Sequence, residues 1–207
     1  MPYGVAFAAA CAAAYVAGSF PTAYLAGRLL KGVDLRTIGS GNLGATNVYR
    51  EIGAPAAIAV LAADAAKGWL PVTYLPALLG AAGDAVLPVA VGAAAVIGHT
   101  KPVFLLWRGG GKGVATAAGV FLALAPTALA IAVAVFAVAV AVTRFVSVGS
   151  IASAAVLPAA VAVTTGPRGP VFIASLAVAA FVIWMHRTNM VRLRRGSEAK
   201  FGRPGAR

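Results

Sequence analysis

Hydrophobic positions along this chain come in long uninterrupted blocks, without the alternation of a half-buried strand or the one-sided stripe of a surface helix. The blocks run approximately from Pro2 to Gly27, Pro55 to Leu79, Ala85 to Gly98, Val114 to Val142, Val146 to Thr165 and Val171 to Trp184. A helix that is apolar all round needs an apolar solvent, and about 20 such residues cross a bilayer. The pattern therefore predicts an all-α, polytopic transmembrane bundle. The block from Val114 to Val142 is too long for one upright helix and carries Pro126 near its middle. It is either one tilted, kinked span or two short spans folded back on each other. In the first block, Gly18, Ser19 and Pro21 permit close packing or a local kink.

Composition removes the alternatives. With 61% hydrophobic and 11% charged residues and a mean hydropathy of +0.91, neither a soluble globule nor a disordered chain is tenable. Six or seven spans would use about 120–140 residues, so residues 1–207 are expected to be a single integral-membrane domain. No positive charge precedes Arg28. The basic region of a secretory signal is thus missing, and the first block reads as a retained span. The lone Cys11 excludes an intrachain disulfide and a thiolate metal site.

Charge then orients the chain. The excess of 17 Lys and Arg over 5 Asp and Glu would suggest nucleic acid in a soluble protein, but cytoplasmic loops of membrane proteins collect the same residues. Seven spans with the N-terminus outside place Arg28, Lys31, Arg36, Arg50, Lys101, Arg108, Lys112, Arg144 and the seven basic residues from Arg187 onward inside; Arg168 lies outside and Lys67 within a span. Six spans would set the basic tail opposite the Arg28 and Lys101 loops. Seven spans, N-terminus outside and C-terminus cytoplasmic, is the expectation.

That topology puts three polar segments on the cytoplasmic face. The first, from Asp34 to Arg50, packs Ser40, Asn42, Thr46, Asn47 and Arg50 around Gly39, Gly41 and Gly44. Glycines let successive backbone N–H groups face an anion, and the side chains supply directed donors. In the second, Arg108, Gly109, Gly110, Gly111 and Lys112 lead into an apolar helix, which describes a phosphate cradle at a helix N-terminus. It is not a Walker A loop, because Gly113 follows the lysine. The third begins at His186, Arg187 and Asn189, near a span end, and continues into flanking charge that includes Arg194, Arg195 and Arg203. Plain solvated loops with snorkelling cations compete with each of these readings. Within the second span, Asp64 and Lys67 share a helix face; a structural ion pair and a functional pair both remain open.

These residues resemble a known family, the bacterial integral-membrane acyl-phosphate:glycerol-3-phosphate acyltransferases (PlsY). The resemblance rests on Ser40, Gly41, Asn42, Gly44, Ala45, Thr46, Asn47 and Arg50; on Gly98, His99, Pro102, Gly110, Gly111, Lys112, Gly113, Ala115 and Thr116; and on His186, Arg187, Asn189, Met190, Arg192, Leu193, Gly196 and Glu198. Gly18 to Pro21 and Asp64-x-x-Lys67-Gly68 are smaller matches. The chain departs from the family in Arg108-Gly-Gly-Gly-Lys112, one glycine longer than the usual form. Transfer of a fatty acyl group from acyl phosphate to the 1-hydroxyl of glycerol 3-phosphate is implied, giving lysophosphatidate and inorganic phosphate at the cytoplasmic face of the cell membrane. No metal or cofactor is called for, and the partners are the two substrates and membrane lipid, not nucleic acid. His99, Lys112 and Asn189 are the expected catalytic residues. Ser40, Gly41, Asn42, Thr46, Asn47, Arg50, Arg108, Gly110, Gly111, Lys112 and His186 are expected to bind substrate and its phosphate.

Both substrates carry phosphate and one carries a long chain, so a cationic pocket beside lipid suits the chemistry independently. Phe104 and Val191 stand five positions after the two histidines, where soluble-type glycerolipid acyltransferases have Asp. The competing class is a transporter of a small organic anion, whose broken helices produce similar glycine-rich turns. Cys11 lies in apolar surroundings that disfavour a thiolate, so direct attack of the glycerol hydroxyl is expected. No acid lies within five residues of His99, which favours the acceptor's own phosphate as base, with His99 positioning substrate.

Overall fold

A computed structural model describes residues 2–81 and 83–202; Arg203 and Arg207 of the basic tail lie outside them. The described chain is helical throughout, in the order α1 (Tyr3–Gly18), α2 (Thr22–Lys31), α3 (Ala45–Glu51), α4 (Ala54–Leu78), α5 (Leu87–Thr100), a short 3-10 turn (Val103–Leu105), α6 (Val114–Leu124), α7 (Pro126–Thr143), α8 (Val146–Thr164), α9 (Pro170–Met185) and α10 (Arg187–Arg194). It forms two compact units, Met1–Leu124 and Ala125–Arg207.

Every apolar block becomes helical, but fewer than the seven expected spans are long and apolar enough on their own. Among the described residues five helices are long and apolar enough to cross a membrane, and six if α9 and α10, bent by 49°, are taken together. The discrepancy lies mainly in the block that contains Pro126. A helix breaks there because proline has no N–H to donate and clashes with the preceding turn, and here Pro126 opens α7 from a non-helical Ala125. What remains upstream is α6, 11 residues long, or about 16 Å against a hydrocarbon core of about 30 Å.

The first block also breaks where Ser19 and Pro21 stand, although α1 and α2 together still form one apolar stretch, Tyr3–Lys31. Ser19 turns its hydroxyl back onto the Tyr15 carbonyl at 2.7 Å, and Pro21 precedes the first turn of α2.

Glycine draws the helices of the first unit together in reciprocal pairs. A Cβ on Gly18 would lie 2.1 Å from the Ala95 carbonyl oxygen, and one on Gly98 would lie 2.2 Å from that of Tyr15, so α1 and α5 meet backbone to backbone. In the same way, Gly68 faces the Thr116 carbonyl at 2.1 Å and Gly119 that of Ala65 at 1.9 Å, which joins α4 to α6. Lipid tails are as apolar as leucine, so close van der Waals packing of this kind is what remains to hold helices together in a membrane. Outside the helices, Leu35 and Leu43 are buried with Val48 of α3, Ala23 of α2 and Ala57 and Val60 of α4. The polar segment before α3 is thereby anchored as a packed loop.

In the second unit, α8 packs between α7 and α9. The segment after α10 is tied down through Glu198, which receives Ser147 Oγ at 2.9 Å, Asn189 Nδ2 at 2.6 Å and Arg192 Nε at 2.7 Å.

Candidate active site

The first unit holds a recess lined by Ser19, Thr22, Leu43, Lys67, His99, Pro102, Gly110 and Gly111, among others. Four separate stretches of sequence build it: the break between α1 and α2, the loop before α3, the middle of α4, and the end of α5 with the glycine loop.

Hydrogen bonds to backbone carbonyls join the first and second polar segments. Leu43 N–H donates to the Gly110 carbonyl at 3.3 Å, and Arg36 Nη1 donates to the Arg108 carbonyl at 3.1 Å. Arg36 is itself held by Asp34 at 2.7 Å. The Arg36 guanidinium beside Asp34 holds that carboxyl at about 2, well below its ordinary value of 3.8, so the clasp stays charged at any ordinary pH.

Asn47 is the internal strut of the first loop. Its amide accepts the Ser40 N–H at 2.9 Å and donates to the carbonyls of Leu35 at 3.2 Å and Ile38 at 3.3 Å. With the side chain 1% exposed, its hydrogen-bonding capacity is spent on the loop. Around it Ser40 and Gly41 are exposed, and Asn42, Thr46 and Arg50 are half-buried. Gly39, at φ +58, fits only because it has no side chain: a Cβ would lie 2.3 Å from Asn47 Oδ1.

The glycine loop lies directly on the His99 imidazole. A Cβ on Gly111 would come within 2.0 Å of His99 Nε2, and one on Gly110, at φ +150, within 2.2 Å of the Thr100 carbonyl oxygen. The Gly111 N–H donates to the His99 carbonyl at 3.3 Å. Lys112 is half-buried beside them, whereas Arg108 is exposed.

Behind the histidine is a charged cluster that sequence reasoning found only in part. Lys67 Nζ lies 2.6 Å from Asp64 Oδ1, so the i, i+3 pair exists. The same oxygen accepts the Thr22 hydroxyl at 2.6 Å, Lys67 also donates to Thr22 Oγ1 at 3.0 Å, and His99 Nδ1 stands 3.6 Å away. The carboxylate missing from the neighbourhood of His99 in sequence is supplied by α4. Its signal was the ionisable pair inside a span, together with the polar residues at the break in the first block; neither discloses that the partner is His99.

In the second unit, His186 is 4% exposed and its Nδ1 is 2.8 Å from the Val182 carbonyl. Asn189 is buried against Glu198. Arg187 points outward, its guanidinium stacked 4.2 Å from the centroid of Trp184. Burial raises the proton affinity of Glu198, but hydrogen bonds from Arg192, Asn189 and Ser147 outweigh it and leave the carboxyl below its ordinary value. Among the described residues no group of three or more His, Cys, Asp or Glu is arranged to hold a metal.

An all-helical, membrane-spanning protein with a basic, glycine-walled recess is the class that fold and site define. The sequence model of the glycerol-3-phosphate acyltransferase family matches residues 8–196, and the chain belongs to that family, the family of PlsY. It is 46% identical over 190 residues to the glycerol-3-phosphate acyltransferase of Anaeromyxobacter dehalogenans, covering 91% of this chain and 94% of that one. With the enzyme of the same description from Trichlorobacter lovleyi it is 50% identical over 191 residues, 92% and 95% of the two chains. Its fold matches a crystal structure of PlsY, an integral membrane glycerol 3-phosphate acyltransferase, in its glycerol 3-phosphate form, with a TM-score of 0.87, 35% identity and coverage of 95% and 96%. The lysophosphatidic acid form of PlsY matches at 0.82, with 32% identity and 95% of each chain covered.

Proposed function

We propose that this protein transfers a fatty acyl group from acyl phosphate to the 1-hydroxyl of glycerol 3-phosphate, releasing lysophosphatidate and inorganic phosphate at the cytoplasmic face of the cell membrane. The observation that carries this reading is the meeting of the first and second polar segments around one recess, where Lys67, His99 and the Gly110–Gly111 backbone lie together. Substrates that bear phosphate need cations and N–H donors there, and an acyl chain needs lipid alongside.

In this reading Arg50 and Lys112 anchor phosphate, and Ser40, Gly41, Asn42, Thr46 and Arg108 complete the cradle. Asn47 serves it by holding the loop. His99 and Lys112 act at the reacting atoms, whereas the catalytic role of Asn189 and the substrate-binding role of His186 rest on the resemblance of the third segment to the family's motif. Nothing in the chain resembles a site for adenine or pantetheine, which favours acyl phosphate over acyl-CoA as donor. The phosphate leaving group already activates the carbonyl, so the glycerol hydroxyl attacks it directly without a covalent enzyme intermediate. The chain crosses the membrane seven times with its N-terminus outside, α6 making the short crossing; support comes from the positive-inside count and from the helices that all six apolar blocks form, the block with Pro126 giving two, α6 and α7.

The test is purified protein incubated with acyl phosphate and glycerol 3-phosphate. Phosphate release that depends on glycerol 3-phosphate is expected, with little product from acyl-CoA. Comparable rates with acyl-CoA would overturn the donor assignment. Uptake of labelled glycerol 3-phosphate into proteoliposomes without product would mark the protein as a transporter instead.

A further inference from the structure

The loop between α5 and α6 holds backbone angles that its residues disfavour. Among the described non-glycine residues three have a positive φ, and two of them stand side by side in this loop, Leu106 at +50 and Trp107 at +59. The short 3-10 turn ends on them in a pair of hydrogen bonds, from Leu106 N–H to the Val103 carbonyl at 2.9 Å and from Trp107 N–H to the Pro102 carbonyl at 3.0 Å. Glycine ordinarily supplies such an ending. Bulky residues stay in this region of φ only where their surroundings over-determine them, and such residues gather at functional sites. What holds them here is one phenol. Trp107 Nε1 donates to Tyr15 Oη at 2.8 Å, and that hydroxyl donates to the Lys101 carbonyl at 2.8 Å. Tyr15 thus closes the loop at its base, from Lys101 to Trp107. It is a firm post for the purpose, because its own carbonyl is where α1 meets Gly98 of α5.

The stapled stretch is continuous with the wall of the recess. Pro102, Gly110 and Gly111 line it, and Lys112 comes next in the chain. Arg36 holds the Arg108 carbonyl and Leu43 N–H that of Gly110, so the loop is tied to the first polar segment on one flank and to α1 on the other. We propose that Tyr15 and Trp107 are positioning residues for the phosphate-bearing substrate: they hold the loop in the arrangement that presents Gly110, Gly111 and Lys112 to it. This rests on the reading of the recess as a phosphate site given above. Neither side chain is among those that line the recess; both act through the backbone. When the staple is cut, the loop relaxes toward commoner backbone angles in part of the molecules, and substrate binds only the remainder. Apparent affinity falls by that fraction, while the bound complex, once formed, turns over as before.

Tyr15→Phe removes the hydroxyl and keeps the ring. It is expected to weaken glycerol 3-phosphate binding, measured by calorimetry, about threefold to tenfold, the usual net effect of one hydrogen bond. In the acyl-phosphate assay KM should rise by the same factor with kcat within about twofold. Trp107→Phe should behave likewise, and the double variant should bind no more weakly than the worse single variant, since both cut one staple. Tyr3→Phe controls for general loosening of the same helix pair: the Tyr3 hydroxyl, also on α1, donates to Asp84, which accepts the N–H groups of Val86 and Leu87 at the start of α5. It is expected to leave binding unchanged even where Tm falls. In 15N-tryptophan-labelled protein, the Trp107 indole N–H is identified among the 3 tryptophans by its loss in Trp107→Phe. It should exchange with solvent faster in Tyr15→Phe than in wild type. Unchanged exchange, unchanged binding in folded Tyr15→Phe, equal weakening in Tyr3→Phe, or a fall in kcat at constant KM overturns the proposal. Wild-type protein that binds glycerol 3-phosphate but turns over no acyl phosphate would instead sink the reaction, and weaker binding by Tyr15→Phe would still uphold the staple.

Discussion

At Gly111 the site depends on a missing side chain. Nothing about its backbone requires glycine, since its φ is not among the positive ones; the need is space, because a Cβ would strike His99 Nε2. Gly111→Ala is therefore expected to displace the imidazole and cut kcat/KM at least about tenfold in protein that still folds, measured by phosphate release. The cations divide by the same reasoning. Losing a charge-assisted partner in a desolvated site costs roughly 2–5 kcal/mol, so Arg50→Ala or Lys112→Ala should lower kcat/KM at least about tenfold. Arg194, exposed at the end of α10, should tolerate alanine with almost no change. Equal losses at all three would mean that general surface charge, and no discrete site, governs the rate.

Among elements, the glycine contacts between helices make a prediction independent of catalysis. Gly119→Ala pushes a methyl against the Ala65 carbonyl of α4, and overpacking of this kind costs typically about 1–3 kcal/mol. The Tm in detergent should fall by roughly 2–12 °C. Gly4→Ala, in α1 with nothing within 4 Å of the new methyl, should leave Tm unchanged or slightly raised. Glu198 ties down the segment after α10, and the pH dependence follows from its lowered proton affinity. A carboxyl whose folded pKa lies below its ordinary 4.5 contributes stability above that value and loses it as pH falls through the folded pKa. The Tm gap between wild type and Glu198→Gln should hold steady above 4.5 and close below it; a gap that widens on acidification would contradict the tether. At this scale the sequence was legible for the long apolar blocks, because burial in lipid imposes itself on every residue of a span. The break at Pro126 was visible as a choice between two readings that local chemistry left open. The loop before α3 was legible as donors and glycines, but the division of labour within it was not: only the fold reveals that Asn47 spends its amide on Ser40, Leu35 and Ile38. Nor does any spacing reveal that Asp64, paired in sequence with Lys67, also faces a histidine 35 positions onward, since that contact exists only because α4 and α5 pack together.

For the whole molecule, the open quantity is the number of crossings, and charge and helix length pull apart. Length alone passes five helices, or six; the odd helix is α6, about half a bilayer long. If α6 did not cross, every loop after α7 would change face while those before α6 would not. Arg144 and the basic residues from Arg187 onward would then lie opposite Arg36 and Arg108, against the tendency of Lys and Arg in short loops to remain inside. Single cysteines at Arg36, Trp107 and Arg194, introduced in a Cys11→Ser background, should accordingly resist an impermeant thiol reagent in intact cells and react once the membrane is opened. A cysteine in the 166–169 turn between α8 and α9 should behave in the opposite way. Shielding at Arg36 and Trp107 with labelling at Arg194 would mean that α6 and α7 cross as one span and that the tail is outside. Labelling at Arg36 or Trp107 would place the recess itself on the outer face, where the proposed acyl transfer at the cytoplasmic surface could not occur.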